Sequence, residues 1–164
     1  MVSSVDVPRS PLGRSIGRSH KFLRAWGDRE LAPLDASVTD FILLFHIDAA
    51  PEPGASQTEI ARFSDMGGPA LVRHLDRMER DGHVRRRRDE VDRRIVRVTV
   101  TDAGRARLEE ISAVMQRCDE AVRAELTPEE QDVLQTALDK VFAFAFMQLE
   151  GTEPPTYAGT RSTP

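Results

Sequence analysis

Seven arginines fall between Arg85 and Arg97, against three acids, Asp89, Glu90 and Asp92, giving a local excess of +4. A guanidinium is a planar fork of N–H donors, permanently charged, that matches phosphate oxygens and the acceptor edge of guanine. Such a run fits nucleic-acid chemistry better than bond-making chemistry. The rest of the chain supports that. His20, His46, His74 and His83 show no H-x-x-x-H or HExxH spacing for a metal. Cys118 is the one cysteine, which excludes an internal disulfide and a Cys-rich zinc site. No P-loop, G-x-S-x-G or Rossmann glycine pattern occurs. No catalytic residue, metal or cofactor is therefore expected, and the chain does not read as an enzyme.

The chain-wide charge of −4 over 164 residues seems to oppose a nucleic-acid partner. Divided by segment it does not: residues 1–56 carry −1, 57–104 carry +2, 105–150 carry −5 and 151–164 carry 0. The basic charge is local. Forty per cent apolar and 30% charged residues exclude a wholly disordered chain. No run of about 18 apolar residues suggests a membrane span, and the polar stretch 1–10 lacks the apolar region of a secretion signal. The expected location is the cytoplasm.

The elements that must hold the arginines follow from periodicity. Leu12, Ile16, Leu23, Trp26 and Leu31 lie close to one face of a helix that must stop before Pro33. Ser37 caps a second helix containing Phe41, Ile42, Leu44, Phe45 and Ile47, ended by the Pro51-Glu-Pro-Gly loop. Ser56-Gln-Thr-Glu59 is a capping box opening a short helix. Asp65-Met-Gly-Gly-Pro69 is a turn, and the spacing of Leu71, Val72, Leu75 and Met78 predicts a helix over 70–80 with those four on its apolar side. Gly82 should end it. Two β-like runs, 83–86 and 95–100, flank a charged tip at 89–92, expected to be mobile. Thr101 caps a long helix over 102–126. Thr127-Pro-Glu-Glu130 is a second capping box, and the helix it opens is apolar on nearly every side between Val133 and Met147. A terminal helix of that kind needs cover that one short chain does not supply, so a second copy is expected.

The fold class is therefore mainly α with a small β-wing: a winged helix-turn-helix plus a helical dimerisation region. The expected division is a flexible tail at 1–10, dimerisation helices at 11–34 and 105–150, a winged DNA-binding domain at 35–104, and a flexible tail at 151–164. In a helix-turn-helix the second helix enters the major groove by its N-terminal turn. Here that turn is Gly68-Pro69-Ala70, followed by Arg73 and His74. Arg73 can fork onto guanine, and Ala70 can sit against a thymine methyl. Gly67 and Gly68 allow close approach of backbone amides to phosphate. Alternation in a strand sends only half of Arg85–Arg88 toward DNA, and Arg86 and Arg88 are assigned to that half. Arg93 and Arg94 at the wing reach phosphate or the adjacent minor groove.

The run from Asp92 through Arg94, Val98, Val100 and Thr101 to Gly104 resembles the wing signature D-x-R-x-x-x-V-x-L-T-x-x-G of the MarR family of transcriptional regulators, with Val100 in place of Leu. The stretch from Gly68 to Gly82 looks like that family's recognition helix and leans toward its SlyA-like branch. The resemblance spans roughly 11–150. It implies a homodimer whose first and last two helices intertwine, with Arg94 as the wing-tip arginine and Asp92 as the acid that holds it. It also implies a repressor of pseudo-palindromic double-stranded DNA, relieved by a small aromatic or phenolic anion bound between dimer and DNA-binding parts. His20, Lys21, Trp26 and His46 are candidates to line that crevice. The competing reading is a winged-helix scaffold that binds protein, its wing charge merely solvated.

Overall fold

The computed structural model describes residues 11–64 and 66–154; the expected tail at 1–10, Asp65 of the predicted turn, and residues 155–164 of the second tail lie outside it. Helix α1 (Leu12–Leu31) ends where expected, and the chain then makes a 3-10 turn over Ala32–Leu34 that accommodates Pro33. Asp35 follows in the left-handed region at φ 49°, a conformation a short polar side chain tolerates. Helix α2 (Val38–Asp48) opens on a full capping box: the Ser37 hydroxyl accepts from the Asp40 N–H, and the Asp40 carboxylate accepts from the Ser37 N–H. Strand β1 (Ala55–Ser56) and helix α3 (Gln57–Ala61) follow, α3 capped by Ser56 and Glu59 as predicted.

Helix α4 (Gly68–Arg80) starts on the glycine itself, with Pro69 in its first turn. It closes as a Schellman motif: Gly82 takes φ +78°, its N–H donates to the Glu79 carbonyl, and the His83 N–H donates to the Met78 carbonyl at 2.9 Å. Strands β2 (Val84–Arg88) and β3 (Val96–Val100) pair antiparallel, Val84 opposite Val100 and Arg88 opposite Val96. Sequence reasoning missed the third strand. β1 pairs with β3 through Ala55 and Ser56, in the order β1-β3-β2, and two residues carry no period.

Helices α5 (Asp102–Arg123) and α6 (Pro128–Glu150) complete the chain. Thr101 caps α5 by accepting from the Gly104 N–H, and also donates its hydroxyl to the Gly82 carbonyl. One Thr thus joins the end of α4 to the start of α5. Gly104 is fixed by packing: a Cβ there would stand 2.0 Å from the His83 carbonyl oxygen. This gives the glycine of the wing signature a physical reason.

One hydrophobic core runs through Leu31 of α1, Leu43, Leu44 and Ile47 of α2, Ile60, Leu71, Leu75 and Met78, the sheet residues Val84 and Val98, and Ile111 and Val114 of α5. Helix α6 contributes nothing to it and has no buried residue. Val133, Leu138, Phe142 and Phe144 of α6 stand exposed, as do Leu12, Phe22 and Leu23 of α1. Both helices therefore carry apolar faces that the described residues leave uncovered. No helix among the described residues is long and apolar enough to cross a membrane.

Candidate nucleic-acid interface

Helix α4 divides into two faces. Leu71, Leu75 and Met78 are buried, while Pro69, Val72, Arg73, Asp76 and Arg80 are exposed along the opposite side. Gly68 is exposed and Ala70 half-buried in the first turn. Val72, assigned to the core by its spacing, is 39% exposed. The period places Leu71 inward, and its neighbour then straddles the boundary. Pro69 has no N–H, and those of Ala70 and Leu71 both donate to the Gly67 carbonyl. The backbone of this turn therefore offers a phosphate less than its glycines imply, and the side chains carry the chemistry.

His74 is turned away from the exposed face. Its Nε2 lies 3.0 Å from the Asp40 carboxylate of α2 and 3.0 Å from an Arg77 nitrogen, while Arg77 is itself ion-paired to Asp40. The expected DNA contact at His74 is corrected by this geometry: the ring is spent on joining α4 to α2. Burial of Asp40 opposes its ionisation. Hydrogen bonds from His74 and Ser37 and the Arg77 charge outweigh burial and hold the carboxyl below the usual range.

Arg86 also departs from expectation. Its side chain is only 15% exposed, and its guanidinium pairs with Asp76 and with Glu79 at 3.1 Å, both on α4. Its backbone N–H donates to Glu79 as well. Strand alternation holds, but the side it assigns to Arg86 faces α4. Arg86 is a strut that neutralises two acids on α4. Arg88 is exposed and donates to the Arg93 carbonyl at 2.8 Å, propping the loop it precedes.

That loop is pinned rather than loose. Asp89 is buried; one oxygen accepts from the N–H groups of Val91 and Asp92, the other from Arg97 Nε at 2.7 Å. Arg97 further donates to the Gly54 carbonyl at 3.2 Å and reaches Glu59, the capping acid of α3. The wing tip is thereby tied to the N-terminus of α3. Donation from the Asp92 and Val91 N–H groups and from Arg97 lowers the Asp89 pKa to about 2. Sequence reasoning saw Asp89 and Arg97 only as charges. Their signal is weak: eight residues apart across a hairpin, opposite in sign.

Asp92 accepts from the Arg94 backbone N–H at 3.0 Å, so it fixes the arginine's main chain and not its guanidinium. Arg93 and Arg94 are exposed at the tip. Among the described residues, no acid pairs with the side chain of Arg73, Arg80, Arg85, Arg93 or Arg94, whereas Arg77, Arg86, Arg87 and Arg97 are all engaged.

The four residues proposed to line a ligand crevice are not brought together. His20 and Lys21 are exposed on α1, and Trp26 donates to Glu30 on the same helix at 3.1 Å. His46 stacks on Phe63, ring centroids 4.5 Å apart, and lines a cavity of about 380 Å³ beside the 49–55 loop. A larger cavity of about 550 Å³ opens between α2, the end of α4 and α5, lined by Asp40, Leu44, Arg77, His83, Arg107 and Ile111 among others. Helical periodicity does not reveal it, since its walls come from three elements distant in sequence.

A helix-turn-helix whose second helix presents Arg73 on its exposed face, flanked by a wing presenting Arg93 and Arg94 at its tip, defines a winged-helix protein with appended helices. Residues 34–95 match the MarR family, whose members are DNA-binding transcriptional regulators and not enzymes. The fold agrees over a longer span. Wild-type MarR of E. coli, in its apo form, is 28% identical with a TM-score of 0.69, covering 82% of this chain and 98% of that one. A MarR family protein of Mycobacterium tuberculosis, solved with p-aminosalicylic acid, is 29% identical with a TM-score of 0.68, covering 80% and 98%. The transcriptional repressor CouR, solved on a 23-mer DNA duplex, is 29% identical with a TM-score of 0.71, covering 80% and 92%. The MarR-type winged helix expected from the wing signature is thus supported at the level of family match and fold.

Proposed function

We propose that this chain is a dimeric repressor of the MarR type, binding a pseudo-palindromic operator through α4 and the wing. The observation that carries the reading is the placement of Arg73 on the exposed face of α4 and of Arg93 and Arg94 at the wing tip, exposed and with no acid partner among the described residues. Gly68, Pro69, Ala70 and Arg73 form the major-groove end. Arg88, Asp92, Arg93 and Arg94 form the wing, Arg94 entering the minor groove while Arg88 and Asp92 hold the loop. Residues 35–104 serve as the DNA-binding domain, and 11–34 with 105–150 as the dimerisation region. The uncovered faces of α1 and α6 support that pairing. Operation in the cytoplasm and a place in the SlyA-like branch belong to the same reading, the latter resting on the wording of residues 68–82.

Release by a small aromatic or phenolic anion is part of the proposal. The p-aminosalicylic acid complex of the mycobacterial relative supports it. The cavity between α2, α4 and α5 fits that role better than the α1 residues, because Arg77 on its wall belongs to α4 and is tied to Asp40. A ligand that displaced Asp40 from Arg77 would shift α4 against α2.

The test is a mobility shift on the DNA upstream of the chain's own coding sequence, at two salt concentrations. The proposal predicts a saturable, sequence-dependent shift that weakens steeply with salt, since each phosphate neutralised releases counterions. A protein-binding scaffold gives no such shift.

A further inference from the structure

Val72 is an apolar side chain standing on the most charged face of helix α4, between Arg73 and Pro69 and one turn before Asp76. Its neighbours in sequence explain nothing about it. Leu71 and Leu75 fill the core, and replacing Val72 by a polar residue would cost the fold little, since it is 39% exposed. The surroundings point outward. Among the described residues Arg73 has no acid partner, and Arg86 neutralises the two acids near Val72, Asp76 and Glu79, through ion pairs. An apolar group framed by an unpaired guanidinium and a neutralised acid is complementary to a surface that is mostly anionic and carries a methyl group. In the major groove, thymine is the base that presents a methyl, at C5. Ala70, the sequence-based candidate for that contact, is half-buried in the first turn and holds less apolar surface.

We infer that Val72 is a specificity-determining residue: its γ-methyls pack against the C5-methyl of a thymine in each half-site, beside the base or phosphate taken by Arg73. This rests on the proposed DNA reading and extends it to one position of the operator. It requires no covalent step and no co-ligand.

The test replaces thymine by deoxyuridine, which removes the C5-methyl and leaves Watson–Crick pairing and every hydrogen-bonding edge unchanged. The site protected by wild-type protein on its upstream DNA is synthesised with each thymine exchanged in turn, in both half-sites, and affinity is measured by fluorescence anisotropy. One exchange should weaken wild-type binding about fourfold per half-site, the value corresponding to about 0.8 kcal/mol for one buried methyl(ene) group. Val72→Ala should bind the thymine site more weakly and lose that sensitivity, while Val72→Ile should keep it. Ala70→Gly should also keep it. The inference is overturned if no single exchange affects the wild type, if Val72→Ala stays as sensitive as wild type, or if sensitivity disappears with Ala70→Gly instead. Failure of the wild type to protect any site overturns the DNA reading and this inference together; an intact footprint with no methyl dependence overturns this inference alone.

Discussion

Two arginines in the wing show how residue type and residue role part company. Arg94 and Arg97 are three positions apart with the same chemistry, yet Arg94 is exposed with no acid partner among the described residues and Arg97 is locked to Asp89. Arg94→Ala should weaken operator binding about tenfold or more and lower the slope of log affinity on log salt by about 1 per subunit, measured by anisotropy over a salt series. Removing Arg161, far outside the winged segment, should leave both unchanged. Arg97→Ala should weaken binding by releasing the tip, and amide exchange at Val91 and Asp92 should accelerate. The pH dependence follows from Asp89, whose folded pKa is lowered from 3.8 to about 2. A lowered carboxyl contributes stability that is present above pH 3.8 and lost as pH falls toward 2. Wild type should therefore lose more stability between these pH values than Asp89→Asn, in denaturant titrations. The wing signature made Asp92 and Arg94 legible in the sequence. It could not show that Asp92 acts on a backbone N–H, because that depends on how the turn closes.

At the scale of elements, capping chemistry was the most readable feature. Ser56 with Glu59 and Thr127 with Glu130 both form the reciprocal boxes their spacing implies. Ser56→Ala should cost about 1 kcal/mol, read as a shift in the urea midpoint. The join between α4 and α5 depends more on Gly104, where any side chain meets the His83 carbonyl. Gly104→Ala should destabilise by about 1–3 kcal/mol, because the His83 carbonyl it meets is backbone and yields little. What periodicity misplaced is instructive. Val72 fits a helical apolar stripe by count and lies outside it in fact, while His74 reads as a polar surface residue and is turned into α2. A stripe drawn from spacing alone has an edge uncertain by one residue, and on α4 that edge separates core from groove. Strand β1 was invisible because two residues cannot show an alternation. His74 and Arg86 illustrate the same limit. Each is a plausible nucleic-acid ligand until an acid from a different element is seen to hold it.

Across the whole molecule, the charge that looked unfriendly to DNA resolves into an acidic α5–α6 region and a basic wing. The uncovered apolar surface is on α1 and α6, away from the core. If these helices pair two copies, a charge placed at Phe142 should separate them: Phe142→Asp should shift the sedimentation coefficient from dimer to monomer at micromolar concentration. The same variant should weaken operator binding strongly, since each half-site would be held alone. The uncovered apolar face of α6 was legible from the run Val133–Met147. How such a face would be covered was not, because periodicity within one helix says nothing about what meets it. In the proposed mode of action, α4 and the wing of two subunits read one DNA site. Hydroxyl-radical footprinting of the upstream DNA with the wild-type protein tests it most directly. Two protected half-sites about one helical turn apart, each flanked by minor-groove protection that disappears with Arg94→Ala, are the predicted result. Uniform protection, none at all, or a footprint unchanged by Arg94→Ala would contradict it.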